Sequence, residues 1–256
     1  MKLIFLFTLT LLVSNAFATV VNTAADEDNL MLGGGSGISL REAVKYSPTG
    51  THITFDPSLS GKTIGLGNGE ISFPFSAPLT LTIDASDLPV PVTITGYRQW
   101  RIFTIPSAAT VELRSLRIID GNTSGDGGAV RNFGICTLVS CTLKGNSADS
   151  AGGGIFNANT CTILSCTLDN NQSRLGFGGG IGNAGTCIVR NSTLSGNIAG
   201  NNSGGGGGIG NTGTFTLISS TVVGNFAVSG GGLSNSGNFT LTSSIVAGNT
   251  APAGAD

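Results

Sequence analysis

Few residues in this chain could do acid–base or metal chemistry, and their spacing decides which reactions stay open. His52 is the only histidine and sits in the run THITF. No cysteine or second histidine stands near it, so neither a zinc site nor a Ser-His-Asp triad can be assembled around it. It reads as a strand or loop residue. Glycoside hydrolysis needs two carboxylates facing one bond, roughly 5–9.5 Å apart. The regular repeats set out below offer only Asp149, in a loop, and Asp169, in an outward column with Lys144, Ser195, Val223 and Ala247. Polysaccharide elimination would want an acidic Ca²⁺ cluster beside an Arg or Lys base. Asp120, Asp126, Arg131 and Lys144 come nearest, and they are sparse. Asp26-Glu27-Asp28-Asn29 lacks the spaced D-x-D-x-D-G pattern of a calcium loop and reads as a solvated acidic loop. No catalytic residue, metal or cofactor is expected.

The elements that would position such groups are visible as an internal repeat. Five segments align: GGAVRNFGICTLVSCTLKGN ending at Asn146, GGGIFNANTCTILSCTLDNN at Asn171, GGGIGNAGTCIVRNSTLSGN at Asn197, GGGIGNTGTFTLISSTVVGN at Asn225 and GGGLSNSGNFTLTSSIVAGN at Asn249. The final asparagines lie 25, 26, 28 and 24 residues apart, and all the variation falls between them and the next glycines. A fixed unit with one variable loop is the mark of stacked coils. Val130, Ile155, Ile181, Ile209 and Leu233 form one apolar column, and Leu138, Ile163, Val189, Leu217 and Leu241 a second. Leu143, Leu168, Leu194, Val222 and Val246 form a third. Cys136, Cys161, Cys187, Phe215 and Phe239 form a fourth. These alternate with polar or small residues, a period of two that specifies strands. The fold class is therefore all-β: a right-handed, single-stranded parallel β-helix with like residues stacked at ~4.8 Å.

Two asparagine columns accompany the apolar ones: Asn132, Asn157, Asn183, Asn211 and Asn235, and Asn146, Asn171, Asn197, Asn225 and Asn249. Stacked amides can bond to neighbours above and below, and asparagine tolerates the left-handed backbone of a bend. These columns read as structural ladders; a glycan-binding row is the alternative. Cys136, Cys141, Cys161, Cys166 and Cys187 fall into two columns shared with Phe and Ser, so they read as stacking residues with mostly free thiols. Thr142, Thr167, Thr193 and Thr221 form what reads as a single outward threonine row, ended by Ile245. Such a row raises ice binding as a further function class. N-x-S/T sequons at Asn122, Asn171, Asn191, Asn201 and Asn238 are common by chance in such a chain.

Composition narrows the function. Charged residues make up 10% of the chain, against ~25% in ordinary domains. The net charge of −2 and thinly spread Lys and Arg argue against nucleic acid as a partner. Residues 1–18, MKLIFLFTLTLLVSNAFA, read as a secretory signal cleaved after Ala18. An uncleaved anchor is the alternative, but Leu3 to Val13 is short for the ~20 residues of a span. No later segment could cross a bilayer. Residues 19–126 read as an N-terminal cap and irregular coils, with Ser39 and Glu42 forming the capping box of a short helix over the first coil. Residues 127–256 read as regular repeats continuous with them. The C-terminus has no lid. The chain therefore reads as truncated there; end-to-end self-association, or a tail folded across the edge, is the alternative.

The stretch ISLREAV followed by THITFDPSLSGKTIGL resembles the CSLREA-type opening of secreted right-handed β-helix proteins, with Ile38 where that motif often has Cys. GGAV at Gly127–Val130 is similar to the GGA(I/L/V) motif of polymorphic outer-membrane proteins, whose FxxN phenylalanine is mostly replaced here, as by Leu143. The resemblance implies a cell-surface or secreted protein, with adhesins among the relatives. On these residues the expected function is non-catalytic, in adhesion or surface presentation at the outer membrane or outside the cell. A host-cell or glycan surface would be the partner, met by loops 147–151, 172–177, 198–205 and 226–229. A pectate lyase-like or polygalacturonase-like enzyme is the alternative, since the fold class includes both.

Overall fold

The structure, a computed structural model, describes residues 17–74, 78–200 and 205–253. Of the expected leader only Phe17 and Ala18 fall within it. The loop expected at 198–205 is described except for residues 201–204. Every strand pair is parallel, and successive coils lie beside each other in four sheets of nine, eight, seven and four strands. The chain is a right-handed parallel β-helix.

One regular coil shows the plan. Ile135–Val139 lies in the first face, Thr142–Lys144 in the second, Ser147–Ala148 in a short edge ladder and Ile155–Asn157 in the third face. Strict in-register stacking follows from the constant repeat. Cys136 pairs with Cys161, Cys161 with Cys187, Cys187 with Phe215 and Phe215 with Phe239. The two phenylalanine rings stack 5.3 Å apart at 7°. Leu138, Leu143, Ile163, Leu168, Val189 and Leu217 are fully buried, so alternation sends one residue in two into a continuous core. The first-face sheet runs from Ala18–Val21 to Asn238–Thr242 without a break. All five cysteines are free and buried, and burial in the apolar column pushes the Cys187 thiol well above its ordinary value.

The edge ladder was not legible in sequence. Asn122–Thr123, Ser147–Ala148, Gln172–Ser173 and Ile198–Ala199 pair in parallel, although three of them open segments that read as variable loops. Two residues carry no periodicity, so nothing marked them as strand. The corners also differ from expectation. The ladder asparagines do not take the left-handed backbone; in the Asn146–Asn249 ladder the residues before them do, at Gly145, Asn170, Gly196, Gly224 and Gly248, as does Asp120 at the same corner of the preceding coil. A second left-handed column is Ser115, Ser140, Ser165, Asn191, Ser219 and Ser243. The pentaglycine ends in a bend: Gly206 has φ 83°, and a Cβ on Gly207 would lie 2.4 Å from Gly231 O. A side chain cannot fit there.

The N-terminal end is covered by helix α1, Leu40–Tyr46. Ser39 Oγ accepts from Glu42 N (3.1 Å) and Glu42 Oε2 accepts from Ser39 N (3.0 Å), while Leu40, Ala43 and Val44 face the core. The segment 26–29 keeps Asp28 and Asn29 exposed, but it is tied to the cap. Asp26 takes both Arg41 Nε (2.7 Å) and Arg41 Nη2 (2.9 Å), and buried Glu42 also accepts from Asn29 N at 3.0 Å. Arg41 reaches on to the carbonyls of Gly69 and Glu70, so the run Ser-Leu-Arg-Glu ties cap, loop and next coil together.

Candidate functional site

The described groove with the most chemistry lies at the corner between the second face and the edge ladder. It has a volume of about 460 Å³. Arg98, Arg117, Lys144 and Arg174 line it, one from each of four successive coils. Strand alternation explains how they reach it. In Arg117–Ile119 the middle residue, Ile118, is fully buried, which leaves Arg117 outward. Lys144 stands between Ile119 and Asp169 in register. Asp120 enters at the left-handed corner, φ 49°, where other coils have Gly145, Gly196, Gly224 or Gly248. Aspartate is among the few residues that tolerate this conformation.

Most of these charges are paired. Lys144 Nζ lies 2.9 Å from Asp169 Oδ2. Arg98 Nε lies 3.3 Å from Asp120 Oδ1. Arg174 pairs with Asp149 and donates to Asn122 Oδ1 at 2.9 Å. Asp169 is partly buried, which opposes its charge, yet bonds from Lys144, Asn170 and Ser195 outweigh burial and hold its carboxyl below the usual range. The Arg117 guanidinium makes no ion pair or hydrogen bond among the described residues, while its backbone N–H donates to Val92 O at 3.1 Å. The buried Ser147 Oγ on the groove wall also lacks a partner. The arrangement can grip anionic and hydroxyl groups. Each carboxylate at the groove is held by its own cation: Asp120 by Arg98, Asp149 by Arg174 and Asp169 by Lys144. Lys144 Nζ is spent on its contact with Asp169.

The residues singled out in sequence are placed as follows. Asn132, Asn146, Asn157, Asn171, Asn183, Asn197, Asn211 and Asn225 are at most 2% exposed. Amide donates to amide at 2.7 Å from Asn132 through Asn157, Asn183 and Asn211 to Asn235. The same holds at 2.9–3.0 Å from Asn146 through Asn171, Asn197 and Asn225 to Asn249. These are interior ladders, and their burial rules out the alternative of a glycan row. Asp126 accepts from Ala151 N at 3.0 Å, and Arg131 stacks 5.2 Å over the Phe133 ring; neither joins Asp120 and Lys144 in the groove. His52 lies in the strand Thr51–Phe55, with Nε2 3.3 Å from Asp84 Oδ2. It lines a second groove of about 370 Å³ in which Glu112 is paired to Arg114 at 2.6 Å. Among the described residues no three of His, Cys, Asp or Glu come together as metal ligands.

The threonine row is not single. Beside Thr142, Thr167, Thr193 and Thr221, the first face carries Thr160, Thr186 and Thr214 in one outward column. A second column there holds Thr137 and Thr162, is broken by Ile188, and resumes at Thr216 and Thr240. Thr is favoured on a half-exposed pleated surface, which accounts for these columns without a ligand. Sequence reasoning missed the groove because Arg98 and Arg117 belong to irregular coils that do not align with the repeats. The usable signal was Asp120, the residue before Gly121, where the next repeats read Gly145-Asn146 and Asn170-Asn171.

No protein-family model matches the chain, and no curated protein does. The resemblance of ISLREAV and the GGAV repeats to surface β-helix proteins therefore rests on the residues themselves. Among solved structures the chain is similar to the crystal structure of pectate lyase Pel9A, with 12% identity, 94% of this chain and 80% of that chain covered, and a TM-score of 0.44. That likeness concerns fold alone. No helix among the described residues is long and apolar enough to cross a membrane.

Proposed function

We propose that this is an exported, non-catalytic β-helix protein that holds glycans in the groove between Arg98 and Arg174, in an adhesive or presenting role at the cell surface. The observation that carries this reading is convergence. The groove is lined by Ser147, Gln172 and Arg174, which stand at the start of two of the four segments whose length and sequence vary between repeats. A rigid stack with a variable rim suits recognition. The N-terminal leader supports export, and the paired carboxylates support binding over turnover.

Replacing residues 149–151 and 174–177 with short Gly-Ser turns tests this. Retention of the protein on cell or glycan surfaces should fall sharply while far-UV circular dichroism stays unchanged. Unchanged retention would place the contact elsewhere. The competing reading, a polysaccharide-active enzyme, is checked with pectin and alginate. Reducing ends or unsaturated products formed by the purified protein would replace the present reading.

A further inference from the structure

We propose that the glycan of this groove is an acidic polysaccharide, a chain bearing carboxylate or sulfate on successive sugar units. This rests on the glycan-binding reading above and gives it a substrate class. The chain has 12 Lys and Arg residues in all, and four of them, Arg98, Arg117, Lys144 and Arg174, line this one groove. Only one carboxylate, Asp120, lines it with them. Three of the four are paired, to Asp120, Asp169 and Asp149, so the guanidinium of Arg117 is the surplus positive charge that draws an anion here.

The layout selects a polymer over a small anion. The cations come from four successive coils, so their backbone positions are strung along the helix axis over three coil spacings, about 14 Å; the heads of Arg98 and Arg174 lean inward to Asp120 and Asn122, while Lys144 turns outward to Asp169. They do not converge on one point as a phosphate site would require. One of these groups is unspent: the guanidinium of Arg117 has no side-chain partner among the described residues. Asn122, Asn170 and Gln172 line the same groove and supply the mixed donors and acceptors that sugar hydroxyls need. No aromatic side chain lines it, so it offers no stacking platform for nucleic-acid bases.

The test uses the full chain and measures affinity by isothermal titration for four probes: polygalacturonate, dextran sulfate, neutral galactan and single-stranded DNA. The variants are Arg117→Gln and Lys144→Gln, each checked for unchanged thermal unfolding. Polygalacturonate or dextran sulfate should bind, and which one does tells carboxylate from sulfate. Binding should weaken with added salt and drop roughly 10-fold for each lost charge-assisted contact. Galactan bound as tightly as polygalacturonate, and indifferent to Arg117→Gln, would overturn the acidic assignment while leaving a glycan groove. Failure to bind any of the glycans would overturn both. Equal binding of DNA would show a general polyanion trap and also overturn it. A polygalacturonate affinity untouched in both variants would do the same, by placing the ligand outside the groove.

Discussion

Replacing Asn171 by alanine removes one rung from the middle of an interior ladder. Its Nδ2 donates to Asn197 Oδ1 (3.0 Å) and Leu143 O (3.1 Å). Its Oδ1 accepts from Asn146 N (3.1 Å) and Asn146 Nδ2 (2.9 Å). All four bonds go. Two losses are softened, because Asn146 Nδ2 keeps Ile118 O at 3.0 Å and Asn197 Oδ1 keeps Asn171 N at 3.0 Å. The Asn146 N–H and the Leu143 carbonyl lose their side-chain partner in a dry interior. At roughly 1–3 kcal/mol for each of the two buried groups so stripped, the variant should lose about 2–6 kcal/mol. Asn235→Ala is the control. That residue ends the other ladder and is exposed, and Asn211 Nδ2, which bonds to it, keeps Gly213 O and Asn238 O. Its cost should stay under about 1 kcal/mol. Urea denaturation followed by circular dichroism reads the difference. Since stacked repeats can lose two-state cooperativity, exchange of the Asn146 amide proton gives the local value. Equal costs for the two variants, or less than about 1 kcal/mol for Asn171→Ala, would refute the claim that the ladder stabilises the stack.

Three further outcomes follow from the same geometry. Arg101 is 7% exposed and joins three coils through Glu70 (2.5 Å), Thr104, Thr123 and the Asp126 and Gly127 carbonyls; Arg101→Met should cost about 3–5 kcal/mol, and a thermal unfolding midpoint close to wild type would show that the contacts are dispensable. Asp28, Asp84 and Asp169 all have pKa values held below the ordinary carboxylate value in the folded chain, so the stability they contribute is present above about pH 4 and is lost as pH falls through their folded values. Denaturation midpoints measured from neutral to acid pH should decline only below that point, and a decline beginning near neutrality would contradict it. Unfolded, unreduced protein should take up an alkylating reagent at all five cysteines, and a mass showing fewer adducts would reveal a disulfide along a column.

How much of this was legible in the sequence depends on periodicity. The columns of Val130, Cys136, Leu138 and Leu143 repeat with alternation, and those columns became the buried faces of the stack. The asparagine ladders were legible for the same reason, but their backbone was not: neither ladder's asparagines are left-handed, and in the Asn146–Asn249 ladder it is the preceding residue that is. The edge ladder of two-residue strands carries no period and read as loop. The acidic run at 26–29 read as solvated because its partners, Arg41, Lys45 and Glu42, come from a helix that folds back onto it. The groove was least legible. Its cations come one to a coil, and the coils that supply Arg98 and Arg117 vary in length, so only the three-dimensional register brings them to Lys144 and Arg174.

The central claim is that this β-helix binds glycan at the Arg98–Arg174 groove and leaves it intact. The most direct measurement is to incubate the purified chain with polygalacturonate, recover the complex, and follow bound polymer and product ends in the same sample. The account predicts retained polymer of undiminished length, with retention reduced in Arg117→Gln. Shortened polymer with new unsaturated or reducing ends, or retention indifferent to Arg117, would contradict it.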